Sequence, residues 1–250
     1  MVINMFDLKF KDNWLSELGG VVEEQKKRKF AMPNIELVDI PGRSKKVVKD
    51  NLSYDSIELE EQVAFLPTLC KLNIAELGKR LSEWLIGTEY SQLYMDYMEG
   101  YFYNSIVTDI SDLQAGNAGV MRTTIKFTCE PFLYSYEGQK AIDVSSATLI
   151  APLKIYNPEK EISYPKILIS IEGENKTVTF YANRHTFTIK NITGSVIIDT
   201  ENRNCIMNNE IHNECVNGVY FPTLSPGLNS ISVQAGSGTK VKIIPNWRRL

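Results

Sequence analysis

Histidine and cysteine are scarce: two and four respectively in 250 residues, so the side chains most used for acid–base chemistry, nucleophilic attack and zinc binding are few. No CxxC, HExxH, G-x-S-x-G, Walker A or G-x-G-x-x-G pattern occurs, which removes the usual signatures of zinc sites, serine hydrolases and nucleotide-binding loops. His212 and Cys215, with Cys205, supply three zinc ligands and lack a fourth. The expectation is four free thiols, no metal and no cofactor. Long apolar runs are also missing, because the longest mainly apolar stretches, 147–153 and 196–198, fall far short of the roughly 20 residues that span a bilayer. Asp7, Lys9, Lys11 and Asp12 interrupt the amino terminus where a secretory signal needs an apolar core. These absences predict a chain made soluble in the cytoplasm, with reduced thiols, no membrane insertion and no use for its sequons at Asn51, Asn175 and Asn191. Charge of one sign is not in excess either. Lys and Arg total 27 against 30 Asp and Glu, a net of -3 that gives no global reason to bind nucleic acid.

What is present is a globular composition, 43% hydrophobic and 23% charged, in a chain long enough to bury a core without disulfides. Its two parts differ. Residues 1–140 hold 16 basic and 21 acidic side chains, whereas residues 141–250 hold 11 and 9. The first part mixes helix and strand signals and the second shows strand signals alone, so two domains are expected, 1–138 and 139–250, joined by a short polar linker within 136–146.

In the first part, Ile35 and Leu37 on one side and Val47 and Val48 on the other flank Pro41-Gly42, a turn pair that predicts a hairpin tipped by Arg43, Lys45 and Lys46. Asn73 with Glu76 reads as a capping box for a helix over 74–86 with Gly87 beyond its last turn. Ile74, Leu77, Leu81, Trp84 and Leu85 mark its buried face, and Gly78 within it predicts close packing on a sheet. Strands are expected over 101–108 and 120–130, the latter alternating Met121, Thr123, Ile125, Phe127 and Cys129 against polar residues, with a polar loop over 112–119 between them. In the second part, Ile167, Ile169 and Ile171 begin a series of alternating strands that continues through Val178, Phe187, Val196, Ile231 and Val241. Turns are expected at 172–174, 182–184, 191–194, 226–227 and 236–238, a pattern that predicts an antiparallel β-sandwich.

Candidate chemistry is thin. The carboxylate pairs Glu58/Glu60, Asp109/Asp112 and Asp199/Glu201 match the two groups a glycosidase needs, but i,i+2 carboxylates on a strand share its wet face, and Asp199/Glu201 closes a strand where carboxylates fold turns. The basic run Lys26–Lys29 follows Glu23 and Glu24 and lacks interleaved aromatics, which predicts a solvated loop or an intersubunit ion pair before a phosphate site. Tyr156, Tyr164, Tyr181, Tyr220 and Trp247 are candidate sugar platforms, with Asn183, Arg184 and His185 as the polar cluster beside them.

Eight short stretches, taken in order and spacing, resemble the distal tail proteins of long, non-contractile-tailed phages and prophages of Gram-positive bacteria. They are Phe6–Asp12, Val38–Ser44, Gly100–Tyr103, Phe127–Phe132, Tyr164–Ile167, Val196–Glu201, Phe221–Leu224 and Pro245–Arg248. The resemblance implies a mainly β fold with a minor helical component, an α+β belt domain that closes into a homohexameric ring, and a galectin-like antiparallel β-sandwich after it. It implies no enzyme. The implied role is a structural hub of the virion tail, joining the tail-tube protein to a tail-associated lysin or tip protein, with receptor-binding proteins as further partners and DNA only as passing cargo. The sugar-reading pattern of true galectins, a histidine, an asparagine and an arginine at alternate strand positions, is not met by the consecutive Asn183, Arg184 and His185. Arg43, Lys45 and Lys46 of the hairpin are expected to meet Glu58, Glu60 and Glu61 of a neighbouring copy. Two other readings compete: a carbohydrate-binding adhesion module acting through the second domain, which needs an exposed aromatic cluster, and a polysaccharide hydrolase, which needs a working carboxylate pair.

Overall fold

A computed structural model describes residues 5–23, 26–218 and 220–250; Glu24 and the side chains of Glu174 and Asn175 lie outside the described residues. The fold is mainly β, as expected. The chain divides into two compact units, one running to Leu133 and including Leu250, the other Tyr134–Arg249.

The first unit is built on strands β1 (Leu8–Phe10), β2 (Asn13–Trp14), β3 (Gly20–Val22), β4 (Pro33–Val38), β5 (Val47–Tyr54) and β6 (Ile57–Phe65). They are followed by helix α1 (Ile74–Leu85) and strands β7 (Ser91–Met95), β8 (Tyr101–Ile110), β9 (Gln114–Ala115) and β10 (Met121–Ser135). The main sheet runs β2-β1-β7-β8-β10-β6-β3, with β9 beside β10. Strict alternation decides which faces turn inward: Met121, Thr123, Ile125, Phe127 and Cys129 of β10 are buried, as are Ile57, Leu59 and Val63 of β6. Phe10, Phe65, Phe127 and Leu93 join them in one core against α1. The strand expected to end near Glu130 continues to Ser135, and the loop expected over 112–119 contains β9 and a short 3-10 turn.

Helix α1 has its capping box, with Asn73 Oδ1 accepting from the Glu76 amide at 3.0 Å and the Glu76 carboxylate accepting from the Asn73 amide at 3.5 Å. Leu77, Leu81, Trp84 and Leu85 are buried, but Ile74 is exposed. The expectations of a buried Ile74 and of close packing at Gly78 fail. A Cβ at Gly78 would meet nothing within 4 Å, so no sheet packs closely there. The helix ends at Leu85 with Ile86 as its cap in extended backbone, and Gly87 follows the last turn as expected.

The second unit contains β11 (Ile142–Asp143), β12 (Leu153–Asn157), β13 (Lys166–Ala182), β14 (His185–Asp199) and β15 (Asn204–Met207). Strands β16 (Glu210–Ile211), β17 (Val216–Asn217), β18 (Gly227–Ala235) and β19 (Thr239–Ile244) complete it. The stretches 172–174 and 191–194, expected as turns, are instead bulges inside the long hairpin β13–β14. Gly173 (φ 92), Asn191 (φ 56) and Gly194 (φ 66) take left-handed backbone there, and the register shifts between Ile171 and Val178. Positive φ bends a strand as readily as it closes a turn. The bend gives the hairpin two arms. One arm, 178–189, pairs with β18, which carries β12, and with β17; the other, 166–171 with 194–199, pairs with β19, which carries β11, and with β15, which carries β16. Phe180, Phe187, Ile189, Ile231 and Val233 from one arm share a single core with Ile167, Ile169, Val196, Ile198, Val241 and Ile243 from the other.

Candidate subunit interface

Strands β4 and β5 form a two-stranded sheet apart from the main one, pairing Ile35 with Asp50, Glu36 with Lys49, Leu37 with Val48 and Val38 with Val47. The tip turns at Pro41-Gly42 as expected: proline presets the first turn position, Gly42 supplies φ 79, and the Arg43 amide donates to the Ile40 carbonyl at 3.0 Å. The base is tied down by Tyr54, edge-on to Phe132 at 5.6 Å, and by the Asp55 amide on the Met32 carbonyl at 2.9 Å. Between base and tip the hairpin is exposed on both faces. Leu37 (54%), Val48 (56%) and Ile35 (44%) lie on one face, Val38 and Val47 on the other. Lys46 and Lys49 are already engaged with Asp39 (3.1 Å) and Glu36 (2.9 Å) of the same hairpin, while Arg43 and Lys45 at the tip are exposed.

On β6, Glu58 and Glu60 point to solvent, and Glu58 accepts from the Thr128 hydroxyl at 2.9 Å. Glu61 sits among the core residues, wholly buried, 3.5 Å from Lys27. The alternation Ile57, Leu59, Glu61, Val63 carried that inward placement in the sequence. The run Lys26–Lys29 lies in an irregular segment, exposed at Lys26, Arg28 and Lys29, and two of its ammoniums meet their own chain. Where β3 stops, the Glu23 amide takes the Gln62 carbonyl at 2.9 Å, and then the Lys27 and Lys29 ammoniums donate to the Glu60 and Glu58 carbonyls along the same edge. Lysine side chains thus continue the ladder where backbone pairing ends. Arg28 donates to the Leu250 carbonyl, and Tyr97 donates to the Lys27 carbonyl at 2.9 Å. Burial, and then the neighbouring Glu61, hold the Tyr97 phenol well above its ordinary pKa.

The other candidate residues fall into structural roles. Asp109 pairs with Lys126 at 3.3 Å; Asp199 accepts from the Glu201 and Asn202 amides, both at 3.1 Å, and so closes the turn after β14; Glu201 meets Arg248 at 2.7 Å. All four cysteines are free, His212 bonds Glu214 at 2.8 Å, and among the described residues no three His, Cys, Asp or Glu side chains converge as a metal site. Trp247 is buried and Tyr181 bonds Gln234 at 3.1 Å, whereas Tyr156 and Tyr220 are exposed. Asn183 is spent on Asn229 and the Ser230 amide, both at 2.9 Å. No described helix is long and apolar enough to cross a membrane.

No family model and no curated protein matches the sequence. Solved structures do match its fold. The SPP1 Dit (gp 19.1) protein, described as a paradigm of the hub adsorption apparatus in phages that infect Gram-positive bacteria, is similar with a TM-score of 0.66 at 14% identity, over 99% of this chain and 100% of that one. A chain of the phage P2 baseplate in its activated conformation with Ca is similar with a TM-score of 0.55 at 10% identity, over 98% of each chain. From end to end, the chain has the fold of phage hub and baseplate proteins.

Proposed function

We propose that this chain is a structural, non-enzymatic hub of a phage tail tip: a ring-forming distal tail protein that joins the tail tube to the host-recognition tip. The observation that carries the reading is the β4–β5 hairpin. A two-stranded sheet is marginal alone, and this one exposes branched aliphatics on both faces, so it requires a covering surface. A second copy of the chain supplies it. The full-length likeness in fold to a phage hub protein supports that choice of partner. In this reading the first domain is the belt, and Arg43 and Lys45 at the hairpin tip, with Lys46 beside them, meet Glu58 and Glu60 of the neighbour. Glu61, enclosed with Lys27, serves its own chain. Such a head-to-tail contact closes into a ring or runs on as a filament; six copies follow from the resemblance to distal tail proteins. The tube protein above, and a lysin or tip protein below with any receptor-binding proteins, complete the assembly and stabilise it by mass action, while DNA passes through as cargo.

Mass measurement at high protein concentration, with electron microscopy of the particles, tests this. A closed ring is expected, alone or with coexpressed tube and tip proteins, and Arg43→Glu with Lys45→Glu is expected to abolish it while leaving the melting transition in place. A species that stays monomeric or dimeric with both partners present overturns the hub reading.

A further inference from the structure

One concave site in the second unit is walled by polar side chains, most of which the fold leaves unspent. Tyr164, His185, Thr200, Arg203, Tyr220 and Thr223 line a cleft of about 190 Å³ floored by Phe221. Its walls are held in place. Phe221 packs on Phe187 at 4.8 Å, Thr200 donates to the Pro165 carbonyl at 2.8 Å, and the Tyr164 ring carries the Arg248 guanidinium at 4.5 Å, itself fixed by Glu201 and the Ile162 carbonyl. Asn157, Asn183 and Asn229 of the same unit are engaged by their neighbours. Here the Tyr164 and Tyr220 hydroxyls, the Thr223 hydroxyl, the His185 ring nitrogens and the Arg203 guanidinium have no hydrogen-bond or ion-pair partner among the described residues. The His185 and Tyr220 rings lie 5.5 Å apart, tilted by 46°, with Tyr220 exposed at 65%.

We propose that this cleft binds a single acidic sugar residue of a saccharide. Convergent donors and acceptors around an aromatic wall suit a ring that carries hydroxyls on its rim and presents weakly acidic C–H bonds to a π-face. The volume lies below the roughly 300–1,000 Å³ of sites for larger ligands, which matches one ring. Arg203 sets the charge: its guanidinium has no carboxylate partner, and a fork of N–H donors pairs best with a carboxylate or phosphate substituent. The site lies within one unit, so it does not depend on ring formation or on the hub reading.

Titration of the full chain, followed by two-dimensional NMR, tests the site with glucuronate, galacturonate and glucose 6-phosphate as probes. Glucose, galactose, acetate, inorganic phosphate and cytidine monophosphate serve as comparisons. Saturable shifts confined to residues around His185, Arg203 and Thr223 are expected for the acidic sugars, with affinities about tenfold above their neutral counterparts, the scale of one charge-assisted hydrogen bond. Arg203→Gln should level acidic and neutral sugars, and Tyr220→Ala should weaken both, with unchanged melting temperatures showing that each variant folds. Absence of saturation by any acidic sugar overturns the proposal. So does equal binding of neutral sugars, of the simple anions or of the nucleotide.

Discussion

Cys129 and Cys205 lie on the core faces of β10 and β15, and burial raises both thiols; Cys205 is pushed up to about 11 from 9.0, with Cys215 and Glu214 adding to the effect. A thiol harder to ionise in the folded chain than in the unfolded one lends stability that is complete below pH 9 and is lost as pH rises through about 11. The urea midpoint is therefore expected to fall across that window, less so in Cys205→Ala, as measured by tryptophan fluorescence. The same burial sorts the thiols by access. Cys215 is half-buried and the other three are buried, so a thiol reagent at neutral pH should label one site per folded chain and four after unfolding, with mass spectrometry assigning the first to Cys215.

Along β6, burial and charge meet in Lys27 and Glu61. Removing one partner of a buried pair leaves a charge without compensation, whereas replacing both with apolar groups is often neutral. Lys27→Met should cost about 3 kcal/mol in urea unfolding, and adding Glu61→Leu should recover most of it. Lys29→Gln, whose ammonium only covers the Glu58 carbonyl at the strand edge, should cost under about 1 kcal/mol. The basic run was visible in the sequence but its partner was not. Four contiguous cations look the same whether they serve solvent, phosphate or a strand edge, and the edge exists only once β3 stops short of Glu60. The bulges at Gly173 and Gly194 pose the same difficulty, since a residue with positive φ reads as a turn unless its cross-strand partner bends too.

At the scale of the whole molecule, the division at Leu133/Tyr134 bears on how the parts are made separately. Within the second unit, the Ser135 amide donates to the Trp247 carbonyl at 2.9 Å, and a Cβ at Gly138 would lie 2.4 Å from the Trp247 amide nitrogen, so residues 134–138 pack against the carboxyl-terminal segment. A fragment 134–250 is expected to melt cooperatively and several degrees above a fragment 139–250, which loses those contacts. Calorimetry on the two fragments checks this, and equal melting temperatures would place the start of the second domain at Gln139.

Alternation within a strand, the Pro41-Gly42 turn and the Asn73–Glu76 cap were legible from the sequence alone, because each depends on residues a few positions apart and on backbone preferences that hold in any fold. The inward faces of β6, β10, β13 and β14 follow from the same two-residue period. The sequence also showed a hairpin rich in branched aliphatics with a basic tip, and its ordered short stretches pointed to the fold that the solved structures share. Tertiary structure alone decided that Lys27 and Lys29 line the edge of their own β6, that one bent hairpin serves both arms of the second unit, and that Tyr164, His185, Arg203 and Tyr220 surround one cleft. These pairings join residues tens of positions apart, and local propensity carries no information about which distant strand or side chain will fill a free edge or an open wall.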